Sequence, residues 1–165
     1  SETLDKYSDD NTLIVVSVDL SHFHTQQEAN KLDKFYIREG QDGVMWGTDF
    51  ASNKGPFISP GMFREFCLPA IKERVRNVKG FGMKVMKHAC GNNTQLMDIF
   101  VEAGYDAYQS IQETAGMDLK WLKEKYGDKF VLWGGVNVEN LVSGIPEDVK
   151  RDVKKAMEIL KPDGG

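Results

Sequence analysis

The chain has 165 residues, 41% of them hydrophobic and 28% charged, with a net charge of −4. This is the profile of one globular domain with its own core, and its mild acidity argues against nucleic acid, whose phosphates select clustered basic surface. No apolar run reaches the ~20 residues that cross a bilayer, the polar start SETLDKYSDD is neither a signal nor a transit peptide, and Cys67 and Cys90 make no disulfide framework, so a cytoplasmic setting is expected.

Thr12 to Val18 (TLIVVSV) is continuously apolar and β-branched, like a strand buried on both faces. A polar turn from Asp19 to Thr25 follows. A helical pattern then runs from about Gln26 to Arg38, with Ala29, Leu32, Phe35, Tyr36 and Ile37 as apolar positions and Gly40 as its stop. The run Gly43 to Trp46 leads into a long loop, GTDFASNKGPFISPG. Ser59 and Pro60 read as the N-cap and first residue of a helix to about Lys79. Met62, Phe63, Phe66, Ile71, Val75 and Val78 form its apolar stripe. Pro69 predicts a kink, because it removes one hydrogen bond and clashes with the preceding turn. Lys84 to Lys87 (KVMK) is a third strand, followed by HACGNN. A helix from Thr94 to Glu102 stops at Gly104, and a fourth strand covers Ala107 to Ile111. A helix from about Asp118 to Tyr126 stops at Gly127. The fifth strand, Phe130 to Trp133, leads into GGVN, and Pro146 starts a last helix ending near Leu160.

Strand–loop–helix units in series imply right-handed βαβ units and a parallel sheet. Two arrangements fit: an open doubly wound sheet or a (β/α)8 barrel. No glycine-rich dinucleotide fingerprint follows a strand, which weakens the first. A complete barrel takes ~250 residues, so the expectation is an incomplete barrel of about five βα units. It forms one domain over residues 1–165, with 1–25 a leading segment left unassigned.

In a barrel, residues just past the C-terminal strand ends converge on one mouth. Here these are Asp19, His22 and His24 after the first strand, Asp49 and Asn53 after the second, and His88, Cys90 and Asn92 after the third. Gln109, Gln112 and Glu113 lie at or after the fourth, and Asn137 follows the fifth. Loops are polar in any case, which explains part of this asymmetry. The sharpest signal is His88-Ala89-Cys90-Gly91-Asn92. An imidazole and a thiolate two residues apart can hold Zn2+ in a catalytic site, given a third protein ligand and an open fourth position. Zinc would create a nucleophile near neutral pH by lowering the pKa of a bound thiol or water. The ordinary alternative is a backbone-bonded His beside an inert Cys.

Asp49 could orient a substrate group or act as a base, or simply cap a loop; the two weigh equally. Asn53, Gln109 and Glu113 are candidates for substrate contact, although Glu113 fits better as the start of a turn before Gly116. Asn137 is either a polar orienting group or the cap of a short helix. His22-Phe23-His24 matches the metal signature of amidohydrolase-type barrels. Those need further His ligands, and the chain has only three histidines, so an exposed loop pair fits better. Trp46, Trp121 and Trp133 read as core packing, and Met62, Met83, Met86 and Met97 as core filler.

Three stretches, WGTDFASNKGPFISPGMFREFCLPAIKERV, KVMKHACGNNTQLMDIFVEAGYDAYQ and FVLWGGVNVENL, stand in order and spacing that resemble the uroporphyrinogen decarboxylase superfamily. The resemblance runs from about Asp42 to the C-terminus. It implies a (β/α)8 barrel about twice this length and one of two branches. One branch decarboxylates uroporphyrinogen III without a cofactor. The other comprises zinc methyltransferases that move a methyl group between a corrinoid protein and a thiol such as coenzyme M. In the second branch H-x-C-G-N supplies two zinc ligands, matching His88 and Cys90, and a third, a Cys, comes from a loop past the position of Gly165. Cys67 is no substitute, since it sits inside a helix and packs as a small hydrophobe. The decarboxylase branch normally lacks H-x-C at this strand, and its polycarboxylate substrate needs basic side chains. The segment Gly134 to Asn137 resembles both branches. The sequence therefore leans toward zinc-dependent methyl transfer to a thiol, with a small-molecule substrate and a corrinoid-carrying partner protein. Cofactor-free decarboxylation comes second. A non-catalytic half-barrel pairing with another chain, such as a homodimer, comes third, because an open parallel sheet exposes two edges and an apolar face.

Overall fold

The computed structural model describes residues 15–18 and 41–163. The readings of Thr12 to Ile14, of the turn with Asp19, His22 and His24, and of the helix from Gln26 lie outside these residues. In chain order the elements are β1 (Val15–Val18), β2 (Gly43–Gly47), a hairpin of β3 (Ala51–Ser52) and β4 (Gly55–Pro56), α1 (Pro60–Met62), a π-helical turn (Phe63–Cys67) and α2 (Leu68–Lys79). Then come β5 (Lys84–His88), a 3-10 turn (Thr94–Leu96), α3 (Met97–Ala103), β6 (Ala107–Gln109), a 3-10 turn (Glu113–Ala115), α4 (Leu119–Tyr126), β7 (Val131–Trp133), α5 (Val138–Ser143) and α6 (Pro146–Leu160).

β1, β2, β5, β6 and β7 lie side by side in that order, and every pair is parallel. A strand order that follows the chain without reversal has no topological switch point, which sets aside the doubly wound arrangement. The sheet is an arc of a (β/α)8 barrel, an incomplete one with five strands among the described residues. Its register sets Gly47 opposite His88, His88 opposite Gln109, and Gln109 opposite Trp133. The C-terminal strand ends are thereby level, and the loops leaving them meet.

Side chains alternate along each strand. Val85 and Lys87 of β5 are fully buried, Val85 within the main core cluster. Met86 and Trp133 instead line a cavity on the opposite face, toward the barrel axis. The core lies between sheet and helices and is rich in rings. Phe100 stacks on Tyr108 at 5.7 Å and meets Phe63 edge-on at 6.1 Å.

Ser59 caps the long helix, accepting from the Met62 N–H at 3.2 Å. The kink expected at Pro69 takes the form of the π turn. Pro69 has no N–H to offer the preceding turn, the helix widens there, and the Leu68 N–H bonds back to the Phe63 carbonyl. The extra residue in that turn shifts the faces. Phe66 and Met62 point to solvent, so neither belongs to a buried stripe, whereas Met83 and Met97 are in the core cluster and Met86 is buried on the axis side. Trp46 is buried as expected, but Trp121 and Trp133 are not core residues. Trp121 lies at the surface, edge-on to Tyr126 with the Lys125 ammonium over its ring. Trp133 lines the cavity toward the barrel axis and stays half-exposed. The small β3–β4 hairpin replaces what the sequence presents as loop. No helix among the described residues is long and apolar enough to cross a membrane.

Candidate functional site

Asp49, His88 and Cys90 bring three potential ligand atoms within 4.8 Å of one another. His88 is the last residue of β5, Asp49 follows β2, and the two strands pair directly. Cys90 Sγ lies 3.6 Å from His88 Nε2. Zinc bonds of about 2.0–2.1 Å to nitrogen and 2.3 Å to sulfur, set at a tetrahedral angle, put the two donors roughly 3.6 Å apart. His88 Nδ1 is hydrogen-bonded to Gln109 Oε1. A proton on Nδ1 satisfies the amide oxygen and leaves the Nε2 lone pair for the side of the sulfur. That is the tautomer a metal requires. Asp49 Oδ1 accepts from the Cys90 backbone N–H at 2.7 Å, which ties the carboxylate to the turn that carries Cys90.

The turn that carries these donors is held from several directions. Gly91 has φ +81°, and a Cβ there would meet the Ala51 carbonyl oxygen at 2.4 Å, so only glycine fits under the hairpin. The Gly91 N–H donates to Gln112 Oε1 at 3.0 Å. Asn93 is fully buried and donates through Nδ2 to the carbonyls of Cys90, Gly91 and Ala89. Asn92, the last residue of the H-x-C-G-N motif, donates its backbone N–H to the Ser52 carbonyl of the hairpin at 2.9 Å and accepts through Oδ1 from the Thr94 N–H at the start of a 3-10 turn. The Tyr108 hydroxyl donates to the Ala89 carbonyl at 2.7 Å. Burial pushes its pKa above the ordinary phenol value, so it stays a donor.

A cavity of about 270 Å3 opens beside Cys90, lined also by Gln109, Ser110, Gln112, Asn137 and Glu139. Asn137 occupies the N-cap position of α5 without a side-chain capping bond. Its backbone N–H donates to Asp152, and its side chain lines the cavity. Gln109 also lines the cavity, but its carbonyl oxygen is engaged with the His88 ring. Asn53 sits on the exposed hairpin turn and accepts from Gln112 at 3.5 Å. Glu113 is not brought to this group. Both its oxygens are paired with Lys155 of α6, at 2.7 and 2.9 Å, and it starts a 3-10 turn that ends at Gly116.

Sequence reasoning passed over Ser110, Asn93 and Lys87. Ser110 could have been found by the rule that found Gln109, since it directly follows the same strand. Asn93 and Lys87 carry no local signal; their roles depend on which loops the fold stacks together. Cys67 is half-buried against the core, and burial pushes its thiol pKa up, in keeping with its reading as a small hydrophobe. Among the described residues Asp49 brings a carboxylate to His88 and Cys90, a donor additional to the cysteine that the resemblance implies past Gly165.

A family model described as uroporphyrinogen decarboxylase (URO-D) matches residues 32–165. No curated protein matches the chain in sequence. Among solved structures, a methyltransferase from Methanosarcina mazei superposes with a TM-score of 0.75 at 19% identity, over 95% of this chain and 53% of that one. The chain thus spans about half the length of that structure, and the likeness is one of fold.

Proposed function

The chain belongs to the uroporphyrinogen decarboxylase family, and we propose that its site holds zinc and serves transfer of a methyl group from a corrinoid, carried by a partner protein, to a small thiol. The observation that supports this most is the donor set of His88, Cys90 and Asp49, with Gln109 bonded to the imidazole through Nδ1. His88, Cys90 Sγ and a carboxylate oxygen of Asp49 would hold the ion and leave the fourth position for the acceptor. When bound, zinc supplies Lewis acidity that keeps an acceptor thiol deprotonated at neutral pH.

The other residues act around that centre. Gln109 fixes the imidazole, and the Cys90 N–H fixes the Asp49 carboxylate. Asn137, at the cavity wall, orients the acceptor by hydrogen bonding. The cavity lining is mainly amide, hydroxyl and apolar groups with one carboxylate, Glu139. Such a lining suits a small acceptor better than a polycarboxylate porphyrinogen, which calls for basic partners. The solved fold relative is itself a methyltransferase, which is in keeping with this reading.

Zinc content of the purified protein tests it. Near-stoichiometric zinc is expected in the wild type, lost in His88→Ala and in Cys90→Ala and retained more weakly in Asp49→Ala. Well-folded wild-type protein without zinc sinks the reading and brings decarboxylation forward.

A further inference from the structure

We propose that Ser110 is a positioning residue of the metal centre, its hydroxyl donating a hydrogen bond to the Cys90 sulfur; this rests on the zinc reading above. Ser110 Oγ lies 3.2 Å from Cys90 Sγ. A sulfur bound to a metal is a thiolate and carries no proton, so the hydroxyl is the donor.

The backbone gives a second, independent observation. Ser110 has φ +82°, a conformation that only one other non-glycine among the described residues, Asp163, shares. Glycine adopts such angles without strain and serine does not. Asp163 lies in a turn near the C-terminus, whereas Ser110 lies on the cavity wall. Strain of this kind persists only where the surroundings fix it, and they do here. The Ser110 N–H donates to the Trp133 carbonyl at 3.2 Å. Gly134 packs so closely that a Cβ there would sit 2.9 Å from the Ile111 nitrogen. Two neighbouring strand ends thus hold Ser110 in the rare conformation that carries its hydroxyl to the sulfur.

A hydrogen bond to a thiolate draws charge from the sulfur and restricts its rotation. Partners that orient a ligand in this way typically change metal affinity 10–100-fold. Ser110 and Gln109, consecutive at the end of β6, then support one ligand each: the hydroxyl supports Cys90 and the amide supports His88.

Cobalt(II) bound in place of zinc provides the readout, through its sulfur-to-cobalt charge-transfer absorption. Wild type, Ser110→Ala and Ser110→Gly would be titrated with cobalt alone and melted in its absence. Both variants are expected to move the band to lower energy and to bind cobalt at least about tenfold more weakly. Ser110→Gly should melt no lower than wild type, because glycine relieves the strain. Bands that stay in place in both variants overturn the role of Ser110 and leave the metal centre standing. A band that moves in Ser110→Ala but not in Ser110→Gly also overturns it, since the backbone and not the hydroxyl would then matter. A wild type that shows no such band overturns this proposal and the zinc reading together.

Discussion

Within β5, Val85 and Lys87 turn toward the helices and are 0% and 1% exposed, while Met86 and His88 turn toward the barrel axis. β7 shows the same division. Leu132 is buried in the core, but Val131 and Trp133 on the other face are 50% and 47% exposed. The residue types do not explain the contrast, since valine and tryptophan are as apolar as anything behind them. The neighbouring layer does. On one face the rings and aliphatic side chains of the helices pack against β2, β5, β6 and β7. On the other, the described side chains line cavities. Ligand atoms can be held only where packing has left room, so the candidate ligands stand on the open face, fixed there by Gln109 and Ser110 on the cavity wall and from the packed side by buried Tyr108 and Lys87.

The largest expected effect tests that contrast directly. Phe100 is fully buried and touches the rings of Phe63, Tyr105 and Tyr108. Phe100→Ala is expected to cost about 3–5 kcal/mol in urea unfolding, the range for a truncated core aromatic. Trp133→Ala, a larger truncation on the open face, is expected to cost about 1 kcal/mol or less, as at other exposed sites. Equal losses would break the comparison and show that the inner face is covered in solution.

A smaller effect is expected where the two faces meet. Lys87 is buried on the helix side, where its ammonium donates to the Thr48 carbonyl at 2.6 Å and lies 4.5 Å from the centre of the Phe50 ring. It therefore grips the residues on either side of Asp49. Lys87→Met keeps most of the volume but leaves that carbonyl unmet, at an expected cost of about 1–3 kcal/mol. The loosened loop should also weaken zinc binding, measured by competition with a chelator. Unchanged zinc affinity in a destabilised Lys87→Met would show that the two faces act independently.

Much of this architecture can be read from the sequence. Alternation and capping signals place β2, β5, β6 and β7 to within a residue or two, and Asp118, Gly104 and Pro146 mark helix ends where the structure has them. His88 and Cys90 stand out because both donors fall within three residues. Asp49 is visible only as one polar loop residue among several. Its meeting with Cys90 depends on a hydrogen bond between residues 41 positions apart, which no local pattern encodes. Glu113 looks equally suited to the mouth, and only the placement of α6 reveals that Lys155 holds it. The exposure of Trp133 is hidden for the same reason, because burial depends on the neighbouring layer and not on the residue.

The smallest effect compares the two cysteines, one on each face. Cys67 packs against the helix-side core, and desolvation by burial raises its pKa above the ordinary thiol value. A raised pKa leaves less thiolate at any given pH, and thiolate is the form that reacts with alkylating agents. Iodoacetamide at neutral pH is therefore expected to modify Cys90, on the cavity wall, well before Cys67, by mass-spectrometric mapping of the modified peptides. Cys67 should join in only as the pH climbs toward its raised pKa, or when urea opens the core. Added zinc should slow Cys90 alone, since the ion would occupy its sulfur and leave Cys67 untouched. Protection of both cysteines would mean that metal binding tightens the whole sheet, and the packed face would then respond to what the open face holds.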